Sequence, residues 1–499
     1  MSQTSTAQAS RVDVAIVGAG ASGVLLASAL VRPPAMFDVA LVDPDPVGGP
    51  AFGGPDEHDL LNTRVRNMSL DPRSPGGFLD WLTLHRPRDP AWTGEDFAPR
   101  RLFGDYLRHR LGVLEGRTPG LGRTRLVREA AIAAERHQRG WRLRLASGAR
   151  LEAQVLVLAT GLARPRPLIF HGREGVEGFV QDDPWDQGAL RGLHPGGDIV
   201  LVGAGLTALD VACTLWRRDP ALKVVAVSRH GLLPRIHASP KAGAPALKPP
   251  YPTTARELYA KLRAAAEFVE GDASLRHGVF LGLRRIGAAV WAGLPPEERA
   301  MFLRHFRRYW EVERQRVPPA QAEVVNQAIA DGRLEIVRGR LAEAKPLPSG
   351  LEARVAILSS AGPRALTVRR VINCSGPEPD PFRSRNPLLL DLLAQGAAAA
   401  DPLGLGLHVD QDGAVLGAGR APSAGLFALG PPTLGRFYEV TQVAEIRAQA
   451  QRLAALIIAQ TPVEAPARRP QGHLATGGME LRIDSTLPPV RRPKVVPLS

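Results

Sequence analysis

Two stretches of the chain carry the same succession of hydrophobic and polar positions. Residues 12–17, VDVAIV, form an apolar run rich in β-branched residues, and helical spacing of apolar positions resumes at Val24 and continues to Leu30. Between them Gly18, Gly20 and Gly23 stand in the spacing G-x-G-x-x-G. The first glycine permits a tight turn, the second lets the backbone approach a pyrophosphate, and the third lets the helix lie against the strand. Free N–H groups at the helix N-terminus then face the phosphate charge. A second apolar strand, FDVALVD, ends at Asp43, twenty positions after Gly23. A carboxylate there accepts hydrogen bonds from ribose hydroxyls, so the pattern predicts a dinucleotide site.

The second stretch, VLVGAGLTALDVA (200–212), repeats the design with Gly203 and Gly205 but has Ala208 in the third position. Twenty positions on, the next strand, KVVAVSRHG, ends in Ser228 and Arg229 where the first copy has its acid. Loss of the carboxylate removes repulsion from a 2′-phosphate, and an arginine pairs with one, which favours NADPH over NADH. Two nucleotide sites on one chain imply electron transfer, and the usual partner of a nicotinamide is a flavin, so FAD is expected in the first site. Two further apolar strands end in small-residue turns, VLVLATGLARP (155–165) and RVINCSGPEPD (370–380), and suit chain crossings between two nucleotide domains.

Between the halves of the second unit the pattern changes. KAGAPALKPPYP (241–252) reads as a proline-rich linker into a helical insert, where Leu258, Leu262, Phe268 and Val269 recur at roughly helical spacing. A second helix is predicted near 296–316, after Pro295-Pro296, with Phe302, Phe306, Tyr309 and Trp310 on one face. Its opposite face carries Arg304, Arg308 and Glu311, which read equally as a solvated, ion-paired surface. The fold class predicted is α/β, with two Rossmann-like dinucleotide-binding domains and a helical insert. The expected layout is an FAD domain at 1–195 and 371–461 and an NADPH domain at 196–240 and 325–370. The insert at 241–324 is expected to cover the substrate, and residues 462–499 form a proline-rich tail.

Composition removes several alternatives. The 499 residues give room for about three domains. The net charge of +14 comes almost wholly from arginines scattered along the chain, without the basic run or aromatic interleaving of a nucleic-acid binder. Cys213 and Cys374 belong to no C-x-x-C, which argues against a metal ribbon, a disulfide framework and a dithiol reductase centre. No uncharged apolar run of roughly 18 residues occurs, and the first ten residues lack a signal-peptide pattern. A soluble, cytoplasmic protein with no membrane partner and no metal site is expected; the oligomeric state is left open.

With these motifs in place the chain resembles the flavoproteins with two dinucleotide-binding domains, a group that includes flavin-containing monooxygenases and amine N-hydroxylases. More closely, it is similar to a bacterial FAD/NAD(P)-binding family that carries LLN…MS, F-x-P-R-R-x-x-G-x-Y and SR-x-GLLPR-x-H. Here these are Leu60-Leu61-Asn62 with Met68-Ser69, Phe97 through Tyr106, and Ser228 through His237. Residues 302–316 and 428–447 also match, and the resemblance spans most of residues 10–460. The family includes urate hydroxylases and aspartate N-monooxygenases that make nitrosuccinate. Two departures matter. Gly430-Pro431 stands where the family's C-terminal FAD turn has Gly-Asp, and the insert lacks the F-x-G-x-x-x-H-x-x-x-W fingerprint of the flavin-containing monooxygenases proper.

The resemblance implies an NADPH-using, FAD-dependent monooxygenase that acts through a flavin C4a-hydroperoxide on a small polar substrate, with molecular oxygen as co-substrate. N-hydroxylation of an acidic amino acid such as aspartate is favoured. C-hydroxylation of a urate-like ring, or a flavin-bound NADPH sensor without turnover, are the alternatives. Because the cofactor carries the hard chemistry, no catalytic side chain is assigned. Cofactor contacts are expected from Gly18, Gly20, Ser22, Gly23, Asp43, Asn62, Met68, Gly161, Gly203, Gly205, Thr207, Ser228, Arg229, Gly430 and Thr441. Substrate contacts are expected from Arg66, Asn67, Arg304 and Arg314, whose charge suits a carboxylate. His237 reads either as a proton donor or as packing under a loop.

Overall fold

The computed structural model describes residues 10–461 apart from 34–35, 54–57, 117–121, 187–197 and 242–246. The first strand, β1 (Ser10–Val17), runs into the glycine turn and α1 (Ala21–Leu30). β2 (Val39–Val42), α2 (Arg100–Glu115), β3 (Thr124–Val127) and β4 (Arg150–Leu158) follow. β1 lies parallel to both β2 and β4, and β3 is parallel to β2. Alternation along these strands sorts their side chains into two cores. Val14, Ile16, Val39, Leu41 and Val157 face one, with α1 and α2; Ala15, Val17, Ala40, Val42 and Leu158 face the other. Burial on both faces is the reason the strands read as continuous apolar runs.

After β4 the chain passes to a second sheet. Val180–Gln181 already pairs there, so the chain leaves the first sheet ahead of the boundary expected at 195, which lies outside the described residues. β5 (Asp198–Val202), α3 (Leu206–Arg218) and β6 (Val224–Ser228) repeat the first unit, with β5 and β6 parallel. Ile199, Leu201, Val224 and Ala226 face α3, and Val200, Val225 and Val227 face the opposite core.

The insert consists of α4 (Ala255–Phe268), α5 (Ala273–Gly293), α6 (Pro296–His305) and α7 (Arg307–Arg314). Thr254 caps α4 by accepting from Glu257 N–H at 3.2 Å, and Asp272 caps α5 by accepting from Ser274 and Leu275 N–H, both at 2.9 Å. The single helix expected over 296–316 is two, α6 and α7, which meet at Phe306, where φ widens to −115° with ψ at −21°. The break splits the expected aromatic face: Phe302 and Trp310 are buried, whereas Tyr309 is 44 % exposed. Phe268 is likewise turned out at 79 % exposure, and Val269 carries the burial at that end. The insert core includes Leu405, Leu434 and Val440 from the C-terminal part of the chain.

α8 (Pro319–Ala330) packs on α3, so the cover of the second sheet resumes at Val317, ahead of residue 325. β7 (Leu334–Pro346) is parallel to β6 and β8 (Gly362–Asn373) is parallel to β5. The chain then returns to the first sheet, and an antiparallel bridge between Ala163 and Glu378 joins the two crossing segments. β9 (Pro422–Ala428) pairs with β4, and α9 (Val443–Gln460) packs against α1. Among the described residues no helix is long and apolar enough to cross a membrane. The expected tail at 462–499 lies outside the described residues.

Candidate functional site

Each glycine turn is shaped by the crossing segment beneath it. Gly18 has φ +114°, and a Cβ there would lie 2.2 Å from Ala159 O; Gly203 has φ +128°, and a Cβ would lie 2.2 Å from Cys374 O. Only glycine fits either place. A Cβ on Gly23 would lie 1.9 Å from Gly18 O, the close helix–strand packing that its position demands. Gly20 differs: no atom stands within 4 Å of its added Cβ, so its face opens onto space at the N-terminus of α1. At Gly205 the sole neighbour within that range is the Arg308 guanidinium, at 4.0 Å. Two tight turns, each with its middle glycine facing open space, fit the pyrophosphates of two dinucleotides.

Around the first turn, Asp43 accepts from Ala19 N–H at 2.6 Å and from Asp45 N–H at 3.0 Å. Burial nevertheless raises its carboxyl above the usual range. Gly430 closes against Ser22, since an added Cβ would lie 2.5 Å from Ser22 Oγ. Gly430 N–H donates to Gln449 Oε1 at 2.9 Å, and Gln449 Nε2 donates to Thr433 Oγ1 at 3.0 Å. This buried relay stands at the turn where the family pattern has an aspartate. Gly161 is exposed on the crossing segment, and Thr207 lies half-buried in the first turn of α3. Ser228 ends β6 and accepts from Gly231 N–H at 3.1 Å, with Arg229 exposed beside it.

The loop after Asp43 and the helical insert enclose a polar cavity of about 590 Å³, its open mouth included. One wall is the loop 62–68, held by Leu61 N–H to Ala98 O at 2.8 Å, Val65 N–H to Asp96 O at 2.9 Å and Arg66 N–H to Gly94 O at 3.1 Å. That loop contributes Asn62, Arg64, Arg66 and Asn67 to the lining; α5 contributes His277, Phe280 and Arg284, and the end of α7 contributes Glu313 and Arg314. Arg316, His237 and Gln442 complete the polar surface.

The charges are unevenly paired. Arg64 and Arg66 share Glu95, while Arg235, Arg276 and Arg316 share Glu313. Arg284 makes bonds of 2.6 and 2.7 Å to both oxygens of Glu445, and Arg314 lies 3.2 Å from Glu439 and 3.4 Å from Thr441 Oγ1. Seven arginines thus meet four glutamates. Burial pulls Arg316 down to about 10, against the opposing pull of Glu313.

Two histidines brace the cavity. His237 Nε2–H donates to Asn62 O at 2.9 Å, and its ring packs on Phe97 and His277 at centroid distances of 4.8 and 5.2 Å. His277 donates through Nδ1–H to Ala238 O. Burial is the main cause that lowers His237 to about 3 and His277 to about 4, so both are neutral at physiological pH. Packing under the loop, rather than proton donation, is the role this geometry supports for His237.

Of the expected site residues, Asn62, Arg66, Asn67 and Arg314 line this one cavity. Arg304 does not: it is exposed on α6, outside the lining, about three helical turns before Arg314. Met68 is 2 % exposed and packs in the core with α1, so it supports the loop from below. Arg64 lies in the loop expected to face the flavin, whereas Arg284, Arg316 and His277 were not anticipated. His277, Leu281 and Arg284 do recur at i, i+4 and i+7 on α5, a helical face legible in the sequence. Cys213 and Cys374 are buried; burial pushes the Cys213 thiol up to about 12 and raises Cys374 as well, so neither supplies a reactive thiolate.

A buried polar contact joins the two units. Arg100 Nη2 lies 3.3 Å from Asp210 Oδ2, and Gln321 Nε2 donates to Asp210 Oδ1 at 2.7 Å. Asp59 accepts from Thr214 Oγ1 at 3.3 Å. Arg100 belongs to the F-x-P-R-R motif and Asp210 to α3, so the motif reaches the second nucleotide unit.

Residues 15–163 match a protein family described as FAD-NAD(P)-binding. No curated protein matches the chain. Among solved structures, the FAD-bound cadaverine monooxygenase of the desferrioxamine pathway from Erwinia amylovora superposes with a TM-score of 0.60 at 15 % identity, covering 92 % of this chain and 98 % of its own. The ornithine N-hydroxylase of Kutzneria sp. 744, with reduced FAD, NADP+ and L-ornithine, gives 0.57 at 17 % identity, covering 91 % and 100 %. The bacillithiol disulfide reductase of Staphylococcus aureus gives 0.54 at 11 % identity, covering 91 % and 100 %. At these identities the likeness is one of fold, and it spans both oxygenases and reductases. The chain has the mixed α/β fold of the flavoproteins with two nucleotide-binding units, and its first unit matches an FAD-NAD(P)-binding family.

Proposed function

We propose that the protein is an FAD- and NADPH-dependent monooxygenase that N-hydroxylates a small acidic amino acid, with aspartate the favoured substrate. The observation that carries this reading is the surplus of arginine in the cavity, whose lining holds Arg64, Arg66, Arg284, Arg314 and Arg316 but, of the acids, Glu313 alone among the described residues. The ornithine and cadaverine enzymes of similar fold act on compounds that carry an additional amine, whereas a net positive wall favours an anion.

FAD at the first turn and NADPH at the second would supply flavin reduction and the activation of dioxygen. The residues of the chain hold and orient. Gly18, Gly20, Gly23 and the N-terminus of α1 take one pyrophosphate, and Asp43 is placed to accept from a ribose. Gly203, Gly205 and α3 take the other, with Ser228 and Arg229 at its 2′-position. Arg66, Asn67 and Arg314 are placed to bind carboxylates by charge-assisted hydrogen bonds. The same positive surplus lowers the pKa of an amine held there, which favours the neutral, nucleophilic form that N-oxygenation requires. Neutral His237 and His277 do not return a proton to it. The absence of C-x-x-C in the sequence and the two unreactive thiols speak against the dithiol route of the reductases with this fold.

The test is NADPH consumption and peroxide release by the flavin-loaded protein in air, with L-aspartate, L-glutamate, L-ornithine, L-lysine and urate in separate reactions. Aspartate should speed NADPH oxidation, lower peroxide per NADPH and yield an N-oxygenated product. Selective coupling to ornithine or lysine would overturn the acidic-substrate reading, and coupling to urate would replace it with C-hydroxylation. NADPH binding without turnover on any compound would leave a sensor.

A further inference from the structure

Arg308 belongs to the helical insert, yet its guanidinium sits at the second glycine turn. Its Nη2 donates to Ala204 O at 3.3 Å and to Leu232 O at 2.5 Å, and Ala204 is the residue between Gly203 and Gly205. Its Nη1 is the one atom within 4 Å of the Cβ position of Gly205, at 4.0 Å. A guanidinium carries five N–H donors, and the bonds of Arg308 among the described residues are both made by Nη2. Nη1 is therefore presented to the space that the pyrophosphate of a dinucleotide fills at such a turn.

Other cations gather at the end of β6. Arg338 on β7 stands beside Ser228 in the strand register, and its Cβ lies 3.3 Å from the Cβ position of Gly231. Burial, with the charges of Arg229, Arg308 and Arg338, lowers His230 below its ordinary value. None of these three arginines has an ion pair among the described residues; Glu311, near Arg308, is engaged by Arg307 at 2.7 Å. Three cations without carboxylate partners beside a nucleotide turn make an anion site.

We propose that Arg308 is a phosphate-binding residue of the second nucleotide site, clamping the pyrophosphate above Gly205, while Arg338 joins Arg229 at the 2′-phosphate. This rests on the assignment of a nicotinamide dinucleotide to the second turn. It gives α7 a double duty, since this one helix carries Arg308 at the nucleotide and Arg314 in the substrate cavity. The insert then takes part in nucleotide binding as well as covering substrate.

The experiment is calorimetric titration of the flavin-loaded protein with NADP+, NAD+ and 2′-AMP, the last of which lacks the pyrophosphate. Arg308→Gln should weaken NADP+ and NAD+ alike by about tenfold and leave 2′-AMP unchanged, since one charge-assisted hydrogen bond is lost. Arg338→Ala should weaken NADP+ and 2′-AMP and spare NAD+. Arg308→Lys keeps the charge and should recover most of the affinity; Arg308→Met, which loses the charge as well, carries the test if Arg308→Gln fails to retain flavin. Unchanged dinucleotide affinity in the Gln or Met variant would overturn the proposal while leaving the second site intact. Failure of the unsubstituted protein to bind either dinucleotide would overturn the nucleotide assignment and this inference with it.

Discussion

Replacing Arg100 by methionine removes the charge that faces Asp210 across the two nucleotide units. Asp210 is 3 % exposed, and the pair is separated by 3.3 Å. At an effective dielectric of about 20, a unit pair at that distance attracts by about 5 kcal/mol. Part of this survives the substitution, because Gln321 still donates to Asp210 at 2.7 Å and Asp210 can take up a proton instead. The expected net loss of stability is therefore about 3 kcal/mol at pH 8, the low end for breaking a buried pair.

The dependence on pH has a definite sign. Burial raises the Asp210 carboxyl above its value in the unfolded chain, and loss of Arg100 raises it further. A raised acid contributes stability that is present below its unfolded pKa and lost as pH rises through its folded pKa. The deficit of Arg100→Met should thus be smaller at pH 5.5 than at pH 8. Asp210→Asn should cost less, since Arg100 keeps 15 % of its side chain exposed and can turn to water. In Arg100→Met/Asp210→Asn the losses should fall short of additive by about 2 kcal/mol, measured by urea unfolding of all four proteins at both pH values. Additive losses, or a single-variant loss under about 1 kcal/mol, would refute the claim that this contact binds the units together.

Three other outcomes follow from particular contacts. Gly20→Val faces open space and should fold normally but purify without flavin, while Gly18→Val, whose Cβ would meet Ala159 O at 2.2 Å with φ +114°, should be poorly soluble; flavin absorbance and circular dichroism separate the two. Arg284→Met loses both bonds to Glu445 and should raise KM for the coupled substrate by about tenfold, with NADPH oxidation in its absence unchanged in steady-state assays. The depressed His237, at about 3, contributes stability that is full above the unfolded histidine pKa and lost as pH falls through its folded value. His237→Gln should therefore flatten the acid limb of the stability profile between pH 6.5 and 4; an unaltered limb would assign that loss to other groups.

The two glycine turns were legible because their physics is local. Gly18, Gly20 and Gly23 owe their spacing to one turn and one helix, and the apolar runs beside them follow from strands buried on both faces. Arg66, Asn67 and Arg314 were found by charge and motif, and they do share a cavity. The insert was harder. Helical periodicity over 296–316 continues through Phe306 without a proline or glycine to mark the break, and charge alone could not tell Arg304, which is exposed, from Arg314, which lines the cavity. The sequence left Arg308 evenly open to a solvated face because its partners, Ala204 O and Leu232 O, are carbonyls of a distant segment that no pattern of side chains announces.

What the sequence determined by itself was thus the pair of nucleotide units, the difference between Asp43 and Ser228-Arg229, and the want of a dithiol. Each is a property of a segment of thirty or so residues whose turn, strand and helix dictate one another. Only the tertiary structure decided which arginines meet. Arg64 and Arg66 converge on Glu95, three others on Glu313, and Arg308 on the second turn, because such contacts depend on distances of a few ångströms between residues that, Arg316 and Glu313 apart, are tens of positions or more from one another. For the arginines of the insert the position follows from packing on Leu405, Leu434 and Val440, and an apolar contact of that kind leaves no periodic trace in the chain.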